Sequence, residues 1–216
     1  MSRAEPALRP PRPGDAERLP ARAAPTRVYR AVDRRHPQPW HFSNRDETSD
    51  PGRFDLAGDG GTCSLAATAV GAILEAFGDP EAELPVPVTP KALAQMRVWH
   101  GELRRPVDLA DTTTPSIPTM TGEIGTITPY TVPHAWADAV HAAGRDGIIY
   151  RGRFAQDDCV ALFAPKGIPV EGDGSDPRDL GDLEATEALA WRDQLPSGVL
   201  ARAPTLGDLP SGRAPR

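Results

Sequence analysis

The sequence predicts an α+β domain with polar tails, and three observations carry that expectation. Short runs of β-branched and aromatic residues read as strands, the clearest being residues 147–150 (GIIY) and 160–164 (VALFA). Two segments, 67–77 and 130–143, place apolar residues on one helical face. The 20 Gly and 25 Pro of this 216-residue chain gather at the two ends and in 84–90, so the middle can still bury one core.

Residues 1–25 alternate Arg, Ala and Pro without an apolar period and read as a disordered tail. Residues 26–32 (TRVYRAV) suit a first strand, and 36–51, polar and proline-containing, a long loop. After Gly52-Arg53-Phe54-Asp55 and the turn cluster Gly58-Asp59-Gly60-Gly61, a short strand is expected over 62–66. In the following helix Val70, Ile73, Leu74 and Phe77 share a face at i, i+3, i+4, i+7, and Gly78 ends it with Pro80 just beyond. A helix over 89–96 and strands over 97–103 and 105–109 come next. The helix over 130–143 turns Trp136, Ala139 and Val140 inward, and Asp146-Gly147 is a turn signal before the strongest strand. Beyond Pro165 the chain becomes acidic and rich in Gly and Pro, with a helix-compatible stretch at 184–195 that contains Leu189 and Trp191. The organisation expected is a tail over 1–25, a domain over 26–165 and an acidic tail over 166–216.

Net charge is −6, which gives no support to general or direct nucleic-acid binding. The charge is polarised: residues 1–35 hold nine Arg against four acids, and residues 171–196 hold eight acids against two Arg. Cys63 and Cys159 stand alone, and the five His are scattered, so no zinc site is expected and reduced core cysteines are the default. No apolar run approaches the roughly 20 residues that span a bilayer, and no signal-like h-region follows Met1. A soluble cytoplasmic protein without membrane association is the expectation.

The chain lacks GxGxxG, GxxxxGK[ST], HExxH and GxSxG, which leaves polar residues at strand ends and on one helix. Arg30, after Val28-Tyr29, fits either a surface charge or a bidentate phosphate clamp. Glu75 lies at the edge of the apolar face of its helix, where a carboxylate is either solvated or turned into a cleft. In a cleft it would stabilise developing positive charge, as N-glycosidic cleavage requires. Arg53 in its loop, and Arg151 and Arg153 around Gly152, read as ligand clamps or as plain loop charges. His134 and His141 look like a helix surface, and Asp157-Asp158 like an exposed turn rather than a metal site.

In order, Val28-Tyr29-Arg30, Gly52-Arg53-Phe54-Asp55, Gly61-Thr62-Cys63-Ser64-Leu65-Ala66, Ala72-Ile73-Leu74-Glu75 and Asp146-Gly147-Ile148-Ile149-Tyr150-Arg151-Gly152-Arg153 resemble the RES family of toxin–antitoxin toxins. That resemblance covers residues 26–165, including Val107-Asp108-Leu109 and Ala135-Trp136-Ala137. It implies an ADP-ribosyltransferase-like split, mostly antiparallel sheet with surrounding helices. It also implies cleavage of NAD, as substrate rather than cofactor, at the nicotinamide–ribose bond by hydrolysis or phosphorolysis, and a helix-turn-helix antitoxin over the cleft. Carried over, Arg30 is the family Arg at the diphosphate or nearby ribose, Arg53 a second phosphate-side Arg, and Glu75 the family Glu facing the ribose. Tyr29, Ser64, Tyr150, Gly152 and Arg153 complete the implied substrate-binding set. Two positions depart from the family pattern: Gly152 stands where it has a Ser, and Ser64 where it has an aromatic. These departures raise the alternative of a domain that binds NAD or a related nucleotide without cleaving it, or that serves as an interaction module. Transfer of ADP-ribose onto a protein follows from fold analogy alone.

Overall fold

The computed structural model describes residues 8–78, 88–104, 107–114, 116–170 and 180–200. Its strands are β1 (Ala21–Ala23), β2 (Arg27–Asp33), β3 (Gly60–Ala66), β4 (Met96–Glu102), β5 (Asp108–Asp111), β6 (Gly147–Arg151), β7 (Asp158–Pro165) and β8 (Leu183–Glu187). The α-helices are α1 (Ala69–Ala76), α2 (Pro90–Leu93) and α3 (Thr131–Ala142), joined by 3-10 turns at Gly122–Gly125 and Ala188–Gln194. The architecture is the α+β, mostly antiparallel arrangement expected. One eight-stranded sheet runs β1-β5-β6-β7-β3-β2-β4-β8, and among these described strands only β5 and β6 pair in parallel. A parallel pair needs a crossover, and the segment carrying α3 supplies it.

Side chains of a strand alternate between faces, and β6 and β7 show why their sequences are apolar almost throughout. Ile148, Tyr150, Cys159, Ala161 and Phe163 enter a core with Trp136 and Val140 of α3, while Ile149, Val160 and Leu162 enter a second core with Trp40 and Phe42. A third cluster joins Ile73 and Leu74 of α1 to Leu93, Val98 and Ala188. Thr68 caps α1, its Oγ1 accepting from Gly71 N at 3.0 Å. Cys63 and Cys159 are free and buried.

Several expectations are corrected. Part of the expected disordered tail is built into the fold: β1 joins β5, and Ala16 and Leu19 are each 2% exposed in the core under α3. Arg22 carries the reason, since its guanidinium anchors β1 by an ion pair with Asp158 at 2.6 Å. At the other end, Leu183–Glu187 pairs with the free edge of β4 and Ala188–Gln194 is a 3-10 turn, so the stretch at 184–195 is not one helix. Both edge segments extend the folded unit beyond 26–165. Only Pro90–Leu93 of the 89–96 helix forms, because β4 begins at Met96 and its register with β2 claims the backbone. The strand expected over 105–109 appears as β5 from Asp108, and residues 105 and 106 lie outside the described residues. The polar 36–51 loop is anchored by buried Trp40, Phe42 and Asn44 and by bridges Phe42↔Gly167 and Ser43↔Thr62. Asp157-Asp158 is not an exposed turn: Asp158 begins β7, and its side chain is 16% exposed between Arg22 and Arg151.

Because Leu19 is core and not tail, Leu19→Ala is expected to lower unfolding free energy by about 2–5 kcal/mol in a urea titration. A loss indistinguishable from zero would return that segment to the solvent.

Candidate active site

β2 and β3 share a single register pair, Tyr29↔Ala66, whereas β2 pairs with β4 through all seven residues. The two strands therefore splay, and a cleft of about 320 Å³ occupies the gap. That volume lies at the small end of the roughly 300–1,000 Å³ typical of small-molecule sites. Tyr29, Arg30, Ser64 and Tyr150 line the sheet side, Glu75 the α1 side, and Arg53 the loop side. Six residues singled out in the sequence thus meet in one cavity. Gly152 and Arg153 stand behind it in the β6–β7 hairpin.

Glu75 sits in the last turn of α1, one residue after the buried Leu74, and its carboxylate turns toward the hairpin. Phe154 N donates to its Oε1 at 2.8 Å, and the Ala155 amide donates to it as well. Burial raises its pKa above the ordinary 4.5, against the opposing pull of the two amides, Arg53 and Arg153. A carboxylate so placed holds negative charge in a partly desolvated cavity, where it acts strongly on a nearby cation.

The hairpin that grips Glu75 is closed by Gly152 N donating to Asp157 O at 2.8 Å, and Thr68 Oγ1 donates to Asp157 Oδ2 at 2.6 Å. Gly152 has no room for a side chain: a Cβ there would lie 2.6 Å from Glu75 Oε1 and 2.8 Å from Cys159 Sγ. A side chain at 152 would therefore require the carboxylate or the thiol to move. Tyr150 is buried against the Phe54 ring at 4.7 Å and its hydroxyl bonds the Cys159 side chain. Burial drives the pKa of both upward.

Arg53 is positioned by Asp55, whose carboxylate accepts from Gly52 N and Ser43 Oγ, both at 2.8 Å, and closes the loop. α3 pins the same region from outside: Arg45 forms a bidentate pair with Asp138, and His134 Nε2 lies 2.9 Å from Gly52 O. His134 is thus tied to the cleft loop and not merely a helix surface. Arg53 donates to Ile127 O at 2.6 Å and lies 4.6 Å over the Tyr130 ring. Burial lowers its pKa, and neighbouring Tyr130, Tyr150 and Glu75 oppose that.

Arg30 lines the cleft, but its Nη1 donates to Pro39 O, His41 O and Cys63 Sγ at 2.6, 3.1 and 2.6 Å. It ties the incoming loop to β3 at the base of the splay. Tyr29 packs edge-on against Trp191 at 5.9 Å, so the C-terminal 3-10 turn helps form that wall. Ser64 is exposed on β3 and faces the cleft with no ring. Arg153 lies 5.4 Å over the Phe154 ring. Sequence reasoning missed Asp50, Tyr130 and Phe154, all of which line the cavity. Tyr130 directly precedes a legible helix, which was the one available signal.

A half-buried carboxylate beside an arginine lines a cleft of small-molecule size on an α+β sheet, which makes this cleft the candidate site of the domain. The RES domain profile matches residues 27–182, and the chain belongs to the RES domain family. The fold is shared with a chain of the crystal structure of the M. tuberculosis MbcT–MbcA toxin–antitoxin complex, at TM-score 0.56 and 13% identity over 81% of this chain and 89% of that one. No curated protein matches the sequence. No helix among the described residues is long and apolar enough to cross a membrane.

Overpacking a buried site costs about 1–3 kcal/mol, and Gly152→Ala is expected to fall in that range by chemical denaturation. Cys159→Ala in the same chain should recover part of the loss, because it removes one of the two colliding atoms. Strictly additive costs would show that position 152 is not crowded by Cys159.

Proposed function

We propose that this protein is a RES-family toxin that cleaves NAD at the nicotinamide–ribose bond, with Glu75 as the catalytic carboxylate. The observation that carries the reading is the position of Glu75: half-buried, in the cleft, and oriented by the Phe154 and Ala155 amides beside Arg53. As the C1′–N bond breaks, its electron pair goes to the pyridinium nitrogen and nicotinamide leaves neutral. Positive charge then develops on the ribose, as in other oxocarbenium-like transition states. The Glu75 carboxylate stabilises that charge electrostatically and orients the oxygen of water or phosphate that attacks C1′. With water as acceptor the carboxylate takes up the proton released. Arg53 holds the phosphate side, where its desolvated guanidinium suits an anion. Arg30 supports the same end of the cleft through the loop it anchors. An open cleft of this kind in a growth-arresting enzyme calls for an antitoxin that covers it, of helix-turn-helix type by family resemblance.

The crowding at Gly152 favours a second reading. Without a hydroxyl at 152, the cleft would bind NAD or a related nucleotide and leave it intact.

Purified protein should release nicotinamide from NAD, and a comparison with and without phosphate names the acceptor. Glu75→Gln is expected to lower the rate by about 100-fold or more. Activity needs the ionised carboxylate, so it should rise with pH through a Glu75 midpoint that burial has moved above 4.5. Undiminished release by Glu75→Gln would sink the assignment. Calorimetric binding of NAD with no release would establish the second reading instead.

A further inference from the structure

Tyr130 stands on the loop side of the cleft, immediately before α3. Its ring is fixed on two sides: the Arg53 guanidinium lies 4.6 Å over the centroid, and His134 meets it edge-on at 6.2 Å. Each neighbour is itself tied down, Arg53 by Ile127 O and His134 by Gly52 O. The hydroxyl, by contrast, is unused. It makes no hydrogen bond among the described residues, and Tyr130 gives no side-chain cap to α3. Arg53, Arg153, Asp50 and Glu75 act on it electrostatically, and Arg53, Asp50 and Glu75 line the same cavity.

A rigid side chain loses little entropy when its polar end engages a ligand, because its rotamer is already set. A partly desolvated hydroxyl without a protein partner is a hydrogen-bonding position offered to whatever fills the cleft. Ser64 on β3 presents no ring, and Tyr130 joins Tyr29, Tyr150 and Phe154 among the rings that line the cavity.

Resting on the NAD-cleaving reading above, we infer that Tyr130 is a substrate-binding residue, whose hydroxyl hydrogen-bonds the nicotinamide–ribose end of a pyridine dinucleotide between Glu75 and Arg53. It sets the position of the scissile bond and takes no part in proton transfer. Its loss therefore acts on binding more than on turnover.

The test uses the full chain. NAD affinity is measured by calorimetry in the Glu75→Gln protein, alone and with Tyr130→Phe or Tyr130→Leu added, while KM and kcat are measured for the two single Tyr130 variants. Tyr130→Phe keeps the ring on Arg53 and removes only the hydroxyl, so folding is expected to be unchanged by thermal melting. It should weaken NAD binding and raise KM by about 3- to 10-fold, the worth of one net hydrogen bond, with kcat within about 3-fold. Tyr130→Leu should weaken binding further, since the stack is lost as well. NAD that binds Tyr130→Phe as tightly as the parent overturns the role of the hydroxyl and leaves the catalytic reading standing. A parent that neither binds nor cleaves NAD overturns both.

Discussion

The carboxylate of Glu75 is held by two backbone amides of a hairpin, and much of the cleft is arranged around that contact. A half-buried carboxylate loses hydration that must be replaced by fixed donors, and Phe154 and Ala155 supply them. Those amides point correctly only while the 152–157 hairpin keeps its shape. Thr68, the cap of α1, reaches Asp157, so the helix that carries Glu75 and the hairpin that grips it are fastened at both ends. From the far side, Arg22 and Arg151 meet on Asp158 at 2.6 and 3.1 Å. Strand β1 lies before the residues that match the family profile, yet it braces the segment that orients the carboxylate.

The cavity itself comes from strand geometry. β2 pairs with β4 along its full length and meets β3 at one residue pair, so β2 and β3 diverge beside the cleft that Glu75 lines. Arg30 fills the base of that gap. One guanidinium nitrogen serves two carbonyls and a buried thiol, which holds the 39–41 loop across the splay. A single arginine thereby closes the sheet on one side and lines the cleft on the other, and the loop that leads to Arg53 starts from its contacts.

What the sequence made legible follows from periodicity. β2, β3, β6, β7, α1 and α3 each carry a clear pattern of apolar residues, and each forms close to where that pattern lies. β1 is Ala-Arg-Ala and β8 is Leu-Glu-Ala-Thr-Glu, with no apolar period to betray a strand. Both are edge strands, whose pairing is decided by a free neighbour and not by their own burial. Among site residues, the family resemblance alone pointed Arg53 and Glu75 to one cavity. The long-range polar contacts were out of reach: Ser43 to Asp55, Arg45 to Asp138 and Arg22 to Asp158 span 12, 93 and 136 positions. Tyr130 carried no motif, and only the folding of its loop over the end of β6 brings its ring to Arg53.

A carboxylate partly desolvated in the cleft underlies the proposed chemistry, and carboxyl-carbon NMR of protein labelled at glutamate reads that state directly. Glu75→Gln assigns the resonance by its disappearance. A titration midpoint above 4.5 is the result expected of a group whose burial outweighs its two amide donors and neighbouring arginines. A midpoint at or below 4.5 would mean that Glu75 is solvated or fully neutralised by its partners, and would contradict the arrangement from which its chemistry has been drawn.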